Sequence, residues 1–507
     1  MSSLKLSPRT SRQFVWACRS AWLCAGLLSI ELLAQADKPS VTPPKVAAAV
    51  PGPLDAGPRL VSEILAAPVE PMSAFKLTSD LADRVGARLA GSPGAERAVA
   101  WALGAMQGAG LQNVHREPVR VPRWLRGEES AELLGETVQP LHIAALGGSV
   151  GTRVAGQDKV VPIEAEIVEV DSFEALAKLG EAVRGRIVLF NKEMARTRDF
   201  DGYRDVVALR SRGAAQAAKL GALAVLVRST GTGFHRQPHT GAMRYDEGGV
   251  RIPAAALAAE DAELLHRRLQ SGEKLRVRLR LSAKLDGEVD SWNVVGEVPG
   301  RERPDEIVLL GAHLDSWDLG SGALDDGAGC GLVIDTARRM AQAAQKSPGA
   351  GPRRTVRVVL FMNEELGLSG ARAYAAAHRD ELARHVAAME ADSGAGQAFG
   401  YRVTGGSPAQ TLVKDWLVPF AKLVPQEVTA VEEWGADLMP LQAATVPVVG
   451  VAQDVSDYFE WHHTAGDTVD KIRPRDFAQA QAAFAALAYA AANAEARLPP
   501  SAKPSRF

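Results

Sequence analysis

Three short segments in the second half of the chain place acids and a histidine directly after runs of β-branched and aliphatic residues. Residues 307–310 run into Gly311-Ala312-His313-Leu314-Asp315, residues 356–361 into Met362-Asn363-Glu364-Glu365, and residues 386–389 into Glu390-Ala391-Asp392. Two more segments complete the set: Leu324-Asp325-Asp326-Gly327 at the start of a helical pattern, and His462-His463-Thr464-Ala465-Gly466-Asp467-Thr468 ahead of the last one. Several carboxylates at one spot repel one another unless cations compensate them. Imidazole and carboxylate donors without cysteine suit zinc, and cobalt or manganese could use the same set. Two histidines with three carboxylates serve two ions if one carboxylate bridges. Ions about 3.5–4 Å apart polarise a scissile carbonyl and activate water.

Hydrolysis also needs a base that is not a ligand. Glu364 and Glu365 are adjacent at a strand end, so their side chains point in different directions. One can bind metal while the other takes a proton from water and passes it to the leaving amine. Asp315, two residues after His313, could accept the second N–H of that histidine and fix its orientation. Taken singly, each feature is weak: a Glu-Glu pair at a strand end is ordinarily solvated, and Asp-Asp-Gly is a common turn or cap. On successive strands of one sheet they are hard to explain as surface decoration. His235 and His239 fall in the Gly-rich part of residues 140–283, and His115, His142, His266, His378 and His385 have no companion ligands nearby in sequence; all read as structural or solvated.

The elements that must position this set follow from residue 292 onward, where β-rich runs alternate with helical ones: 307–310, helix 327–345, 356–361, helix 369–378, 386–389, 446–451 and a final Ala-rich helix 474–496. Such alternation predicts an α/β fold, a mostly parallel sheet flanked by helices. Ligands bind beyond the carboxyl ends of such strands. Residues 73–139 form the N-terminal part of the catalytic domain, with 73–119 read as helical, including a helix at 95–108. Residues 140–283 change to short β-rich runs around one helix at 213–220, an inserted α/β module with no catalytic set. Residues 284–498 complete the catalytic domain, and 499–507 form a tail.

Ahead of these, Lys5, Arg9, Arg12 and Arg19 precede an apolar run and then Ala34-Gln35-Ala36, the order of a secretory signal peptide at 1–36. Residues 37–72 are Pro- and Ala-rich without periodicity, a linker or pro-segment. The expectation is a secreted or periplasmic protein with no membrane span after signal cleavage. Cys18 and Cys24 lie within that signal, leaving Cys330 and no disulfide framework. With 58 Lys+Arg against 60 Asp+Glu, the net charge of -2 calls for no nucleic acid and no anionic membrane as partner. A short peptide substrate is the better expectation.

At these residues the chain resembles the zinc exopeptidase family that includes bacterial leucyl aminopeptidases and glutamate carboxypeptidases. The likeness rests on 311–318, 322–327, Tyr458-Phe459 with His462-His463, and Gly466-Asp467-Thr468. It extends into the insert through Arg212-Gly213-Ala214, Pro238-His239-Thr240-Gly241 and Glu260-Asp261-Ala262-Glu263, so that the insert resembles a protease-associated domain. The resemblance implies two Zn2+ per chain, with His313 and Asp392 on one, Glu365 and His463 on the other, and Asp325 bridging. It further implies Glu364 as general base and a cis Asp325–Asp326 peptide. The choice of His463 over His462 rests on its place directly before Thr464 and four residues ahead of Asp467. Relatives often carry Tyr at the preceding position, which assigns oxyanion stabilisation to His462 here. Asp437, a candidate substrate-binding residue, lies in Trp434-Gly435-Ala436-Asp437-Leu438, a loop expected to line a specificity pocket. The resulting expectation is a metallo-exopeptidase acting on dipeptides or short peptides with free termini, with an aminopeptidase as second reading. A non-catalytic receptor on the same scaffold is the rival from another class. The resemblance also implies a homodimer, although no periodic interface pattern in the sequence requires one.

Overall fold

A computed structural model describes residues 73–153 and 159–504. The expected signal peptide at 1–36 and the linker at 37–72 lie outside the described residues. Among the described residues no helix is long and apolar enough to cross a membrane.

The sheet that carries the chemistry has five strands, in the order Gln112–Leu125, Lys284–Val298, Arg354–Phe361, Arg303–His313 and His385–Glu390. The last three are mutually parallel, whereas Lys284–Val298 runs antiparallel to both of its neighbours. The sheet is therefore mixed, which corrects the expectation of a mostly parallel one. The strand that runs against the others is Lys284–Val298, and the strand beyond it, Gln112–Leu125, belongs to the stretch read as helical. Pro118 and Pro122 disfavour a helix interior, and Val119, Val121 and Trp124 are buried while Arg120 is exposed. The four-residue leucine spacing that begins at Leu77 ends well before this strand.

Strand Arg354–Phe361 is buried along its whole length because it is covered on both faces. Val356, Val358 and Leu360 join the core beneath helices Ala328–Lys346 and Pro474–Asn493, while Val359 and Phe361 enter a separate core with Tyr374 of helix Ser369–Ala377. Truncating such a fully buried leucine to alanine costs about 2–5 kcal/mol, so this layering is the main restraint on where the strand ends point.

A second, eight-stranded sheet is built from residues between Glu129 and Leu281, in the order Gln139–Leu141, Glu129–Leu134, Arg276–Leu281, Ile163–Val170, Ile187–Phe190, Ala224–Arg228, Ala254–Leu257 and Ile143–Ala145. Strand Glu129–Leu134 pairs with Arg276–Leu281, so this unit starts before the expected boundary at 140. Its long helix, Asp201–Lys219, also begins earlier than the sequence pattern suggested. A small sheet of Val428–Ala430, Ala398–Val403 and Val449–Gln453 lies beyond the catalytic strands, touching them through the bridge between Ala388 and Val448.

Candidate metal centre

Strand Arg303–His313 is central in the parallel triplet, with His313 level with Phe361 on one side and Gly311 level with Glu390 on the other. That register sends His313, the Glu364-Glu365 pair and Asp392 off the same ends of three adjacent strands. The turn Ala323–Gly327, whose Asp325–Asp326 peptide is cis, brings Asp325 into the middle, and the loop after helix Tyr458–Trp461 supplies His462 and His463.

His313 Nε2 lies 3.0 Å from Asp325 Oδ1 and 3.7 Å from Asp392 Oδ1. His463 Nε2 lies 3.1 Å from both Asp325 Oδ2 and Glu365 Oε2. Asp325 thus sits between two imidazoles, each with a further carboxylate on its far side. The other ring nitrogens face carbonyl oxygens: His313 Nδ1 is 3.1 Å from the Asp315 carbonyl, and His463 Nδ1 is 3.2 Å from the Thr240 carbonyl. A carbonyl only accepts, so each Nδ1 carries a proton, and each Nε2 is the nitrogen left to face the carboxylate oxygens. Such atoms face one another stably only with a proton or a metal cation between them.

The titration of the cluster reports the same pressure. Burial alone would lower the His313 pKa, but hydrogen bonding to Asp325 and Asp392 holds it well above its ordinary value. Burial opposes protonation of His463 too, yet Glu365 and Asp325 push it up to about 9. Asp325 is driven the other way, since His313 and His463 outweigh its burial and hold it well below the usual carboxylate range. Burial raises Glu365 to about 7, and burial with nearby Glu365, Asp392 and Asp315 keeps Glu364 well above its usual value. A carboxyl raised in this way is suited to shuttling a proton near neutral pH.

The donor set fits zinc. Ligand atoms of His313, Asp325 and Glu365 lie within 4.8 Å of one another, as do those of His313, Asp326 and Asp392 and those of Asp325, His462 and His463. The contacts of 3.0 to 3.7 Å bracket the edge of about 3.3 Å expected between ligands about 2.0 Å from a tetrahedral ion. Glu365 Oε1 is buried without a hydrogen-bond partner among the described residues, leaving an acceptor for the same purpose.

Not every sequence-predicted residue takes its expected place. The Asp315 carboxylate stands 3.9 Å from His313 Nδ1, which bonds to the backbone carbonyl instead; Asp315 Oδ1 accepts the N–H groups of Asn363 at 2.7 Å and Glu364 at 3.1 Å. Asp437 is fully buried behind the site with its N–H on Glu390, and the cavity is lined by Glu433, Trp434, Gly435 and Ala436 in its stead. His462 stacks on His463 at 3.5 Å between ring centroids, with Nε2 3.5 Å from Asp325 Oδ2; burial and the His463 ring hold its pKa well below the ordinary value. It is therefore a neutral imidazole against the cluster.

Other contributors escaped the sequence reading. Asp467 fixes the Asp325 turn by accepting N–H groups from Leu324 at 2.7 Å and Asp325 at 3.2 Å, and Asp326 accepts from His313 N at 3.1 Å and Gly329 N at 3.0 Å. The available signal was the place of Asp326 next to Asp325 and of Asp467 four residues after His463. Arg210 and Tyr203, from the second sheet unit, line the same cavity of about 870 Å³ as Glu364, Glu365 and Asp392.

Residues 293–488, which span every candidate ligand, match the model of peptidase family M28. The chain is also 37% identical to mouse carboxypeptidase Q over 423 residues, 83% of this chain and 86% of that one. The chain belongs to peptidase family M28. Human carboxypeptidase Q is 36% identical over the same share of this chain and 85% of its own length. Among solved structures, the peptidase M28 precursor from Shewanella amazonensis SB2B superposes with a TM-score of 0.82 at 38% identity, covering 88% of this chain and 99% of that one. A zinc aminopeptidase from Bacillus subtilis shares the fold, with a TM-score of 0.61 at 20% identity over 86% of this chain and 98% of that one. As an M28 peptidase the chain is a hydrolase of peptide bonds, and the mixed α/β architecture is that of its family.

Proposed function

We propose that this M28 peptidase is a two-zinc exopeptidase that releases a residue from dipeptides or short peptides with free termini, in the manner of a carboxypeptidase. The observation that carries the reading is the arrangement of His313, Asp325, Glu365, Asp392 and His463, with Asp325 between two imidazole–carboxylate pairs. His313 and Asp392 would hold one ion and Glu365 and His463 the other, with Asp325 shared. Bound there, the ions supply Lewis acidity toward the scissile carbonyl and the attacking water.

The chain's own groups do the rest. Glu364, on the cavity wall and outside the ligand set, takes the proton of the attacking water and delivers it to the departing amine. His462, neutral and beside Asp325, is placed to donate toward oxygen charge that develops in the tetrahedral intermediate. Arg210 is 6% exposed; its Nη2 donates to the Tyr203 hydroxyl at 2.7 Å while Nε and Nη1 have no partner among the described residues. A buried guanidinium with free N–H groups suits a substrate α-carboxylate. Glu390 and Glu433, also on the wall, each carry a carboxylate oxygen without a partner among the described residues, which suits the α-ammonium of the same substrate. We read residues Glu129–Leu281 as a protease-associated module that completes this cavity.

The test is a dipeptide panel with free, acetylated and amidated ends, assayed with zinc and with a chelator. Free dipeptides are expected to be cleaved best and chelation to abolish turnover. Turnover that survives complete zinc removal overturns the metal assignment, and equal cleavage of amidated peptides overturns the carboxypeptidase polarity.

A further inference from the structure

His463 is gripped from two sides that belong to different sheets. Its Nε2 faces Asp325 and Glu365, each at 3.1 Å. Its Nδ1 lies 3.2 Å from the Thr240 carbonyl, and the Thr240 N–H donates to the His463 carbonyl at 3.0 Å. Thr240 is no part of the catalytic sheet. It lies between strands Ala224–Arg228 and Ala254–Leu257 of the eight-stranded one. A reciprocal pair of hydrogen bonds, one from the His463 side chain to the Thr240 carbonyl and one from the Thr240 amide to the His463 carbonyl, therefore joins the two sheet units at a candidate ligand.

The local backbone of His463 does not explain its pose, since it sits at φ +63°, a region that residues other than glycine seldom adopt and that surrounding contacts must impose. The Thr240 contact supplies such an imposition and also fixes the proton on Nδ1, leaving Nε2 free to ligate. The Thr240 segment is itself firmly seated. The His239 N–H donates to Ser229 Oγ at 2.9 Å, Thr240 Oγ1 donates to the Ala145 carbonyl at 2.8 Å, and the Gly241 carbonyl accepts Gly147 N–H at 2.9 Å. Thr240 is fully buried. Gly241 holds φ +139°, which a residue with a side chain adopts only under strain, and a Cβ there would also come within 2.4 Å of Arg210 Cζ, so a substitution strains the loop and pushes the Arg210 side chain aside.

We infer that the loop from Pro238 to Gly241 is a positioning strut for His463, so that an ion on His463 and Glu365 and the seated loop stabilise each other. This rests on the two-zinc reading above. The coupling is reciprocal by linkage: whatever the seated loop adds to zinc affinity, zinc adds to the seating of the loop. Ala242, Arg244 and Tyr245 follow directly and line the substrate cavity, so the ion at this end also steadies a cavity wall contributed by the other sheet unit.

The experiment uses the full chain stripped of metal and titrated with zinc by calorimetry, alone and as Gly241→Ala and Thr240→Val. The wild type is expected to take two ions. Gly241→Ala should weaken one site ~10–100-fold and the other by less than ~3-fold, with Thr240→Val showing the same selectivity at smaller amplitude, because support of a ligating histidine typically changes metal affinity by that factor. Hydrogen exchange of the wild type supplies an independent readout: amides of 238–241 should be better protected with zinc than with chelator. Wild-type affinity at both sites in a folded Gly241→Ala chain overturns the strut while leaving the two-zinc reading intact. Should that variant fail to fold, zinc-independent exchange across 238–241 in the wild type overturns it equally. A wild type that takes up no zinc overturns the two-zinc reading, and the strut with it.

Discussion

The carboxylate of Asp315 holds the backbone amide of Glu364 at 3.1 Å. The same oxygen accepts the Asn363 amide, which has φ +70°, at 2.7 Å. Asp315 therefore governs the direction in which the chain leaves strand Arg354–Phe361, and with it the placement of both glutamates. Asp315→Ala is expected to lower kcat ~10–100-fold, the usual effect of removing a group that orients catalytic residues. Asp315→Asn, which keeps an acceptor oxygen, should lose less. Steady-state kinetics with parallel zinc analysis checks this, and a wild-type kcat in Asp315→Ala would remove the role.

Glu364 and Glu365 are neighbours with different expected duties. Replacing Glu364 by Gln keeps its volume but removes its ability to take a proton, so kcat should fall ~10²–10⁴-fold with two zinc ions retained. Glu365→Gln should instead lose one ion. Metal analysis of the two purified variants separates the assignments, and loss of zinc from Glu364→Gln with retention in Glu365→Gln would reverse them.

Arg210 reaches the cavity from the helix Asp201–Lys219. If its unpartnered N–H groups receive a substrate carboxylate, Arg210→Met should cost free dipeptides ~10–100-fold in kcat/KM, the worth of a charge-assisted hydrogen bond, while amidated analogues lose much less. An equal loss for both substrate types would show that the side chain only shapes the wall.

His313, the Glu364-Glu365 pair and Asp392 could be grouped from the sequence because each follows an apolar run that fixes a strand end, and the structure brings those ends together, whereas Asp325 and His463 come from a turn and from the loop after a helix. Adjacent strands with a common direction need no knowledge of distant contacts. The partners of those ligands were not legible for the opposite reason. Thr240 meets His463 across 223 residues, and Arg210 enters the cavity through packing of one sheet unit on another. The loop around Asp437 was expected at a pocket wall, and Trp434, Gly435 and Ala436 do line the cavity, but which of its side chains packs inward depends on how the loop turns, and Asp437 is the one that is buried. Strand Gln112–Leu125 was missed because a helical spacing upstream was carried past its end, although its prolines and its period-two burial marked an extended segment.

The first residue of strand His385–Glu390 provides a pH test away from the metals. His385 is buried; its Nδ1 lies 3.2 Å from the Glu381 carbonyl and its Nε2 2.9 Å from the Tyr374 hydroxyl, an arrangement that suits a neutral ring donating at Nδ1 and accepting at Nε2. Burial, with the nearby Arg357 and His378 cations opposing a second charge and Glu381 favouring one, pushes its pKa down to about 4 from 6.5. The sign follows from where the proton goes. Below pH 6.5 the unfolded chain binds a proton at this position that the native chain refuses until about pH 4, so the folded state loses stability as pH falls through that window and no further below it. Between pH 7 and pH 5 the loss from this group should be about 2 kcal/mol. His385→Gln keeps a donor and an acceptor but cannot titrate. Denaturant unfolding at the two pH values should therefore show a drop smaller by about that amount in the variant, and an identical drop in both proteins would mean that His385 is charged in the native state or already exposed to water.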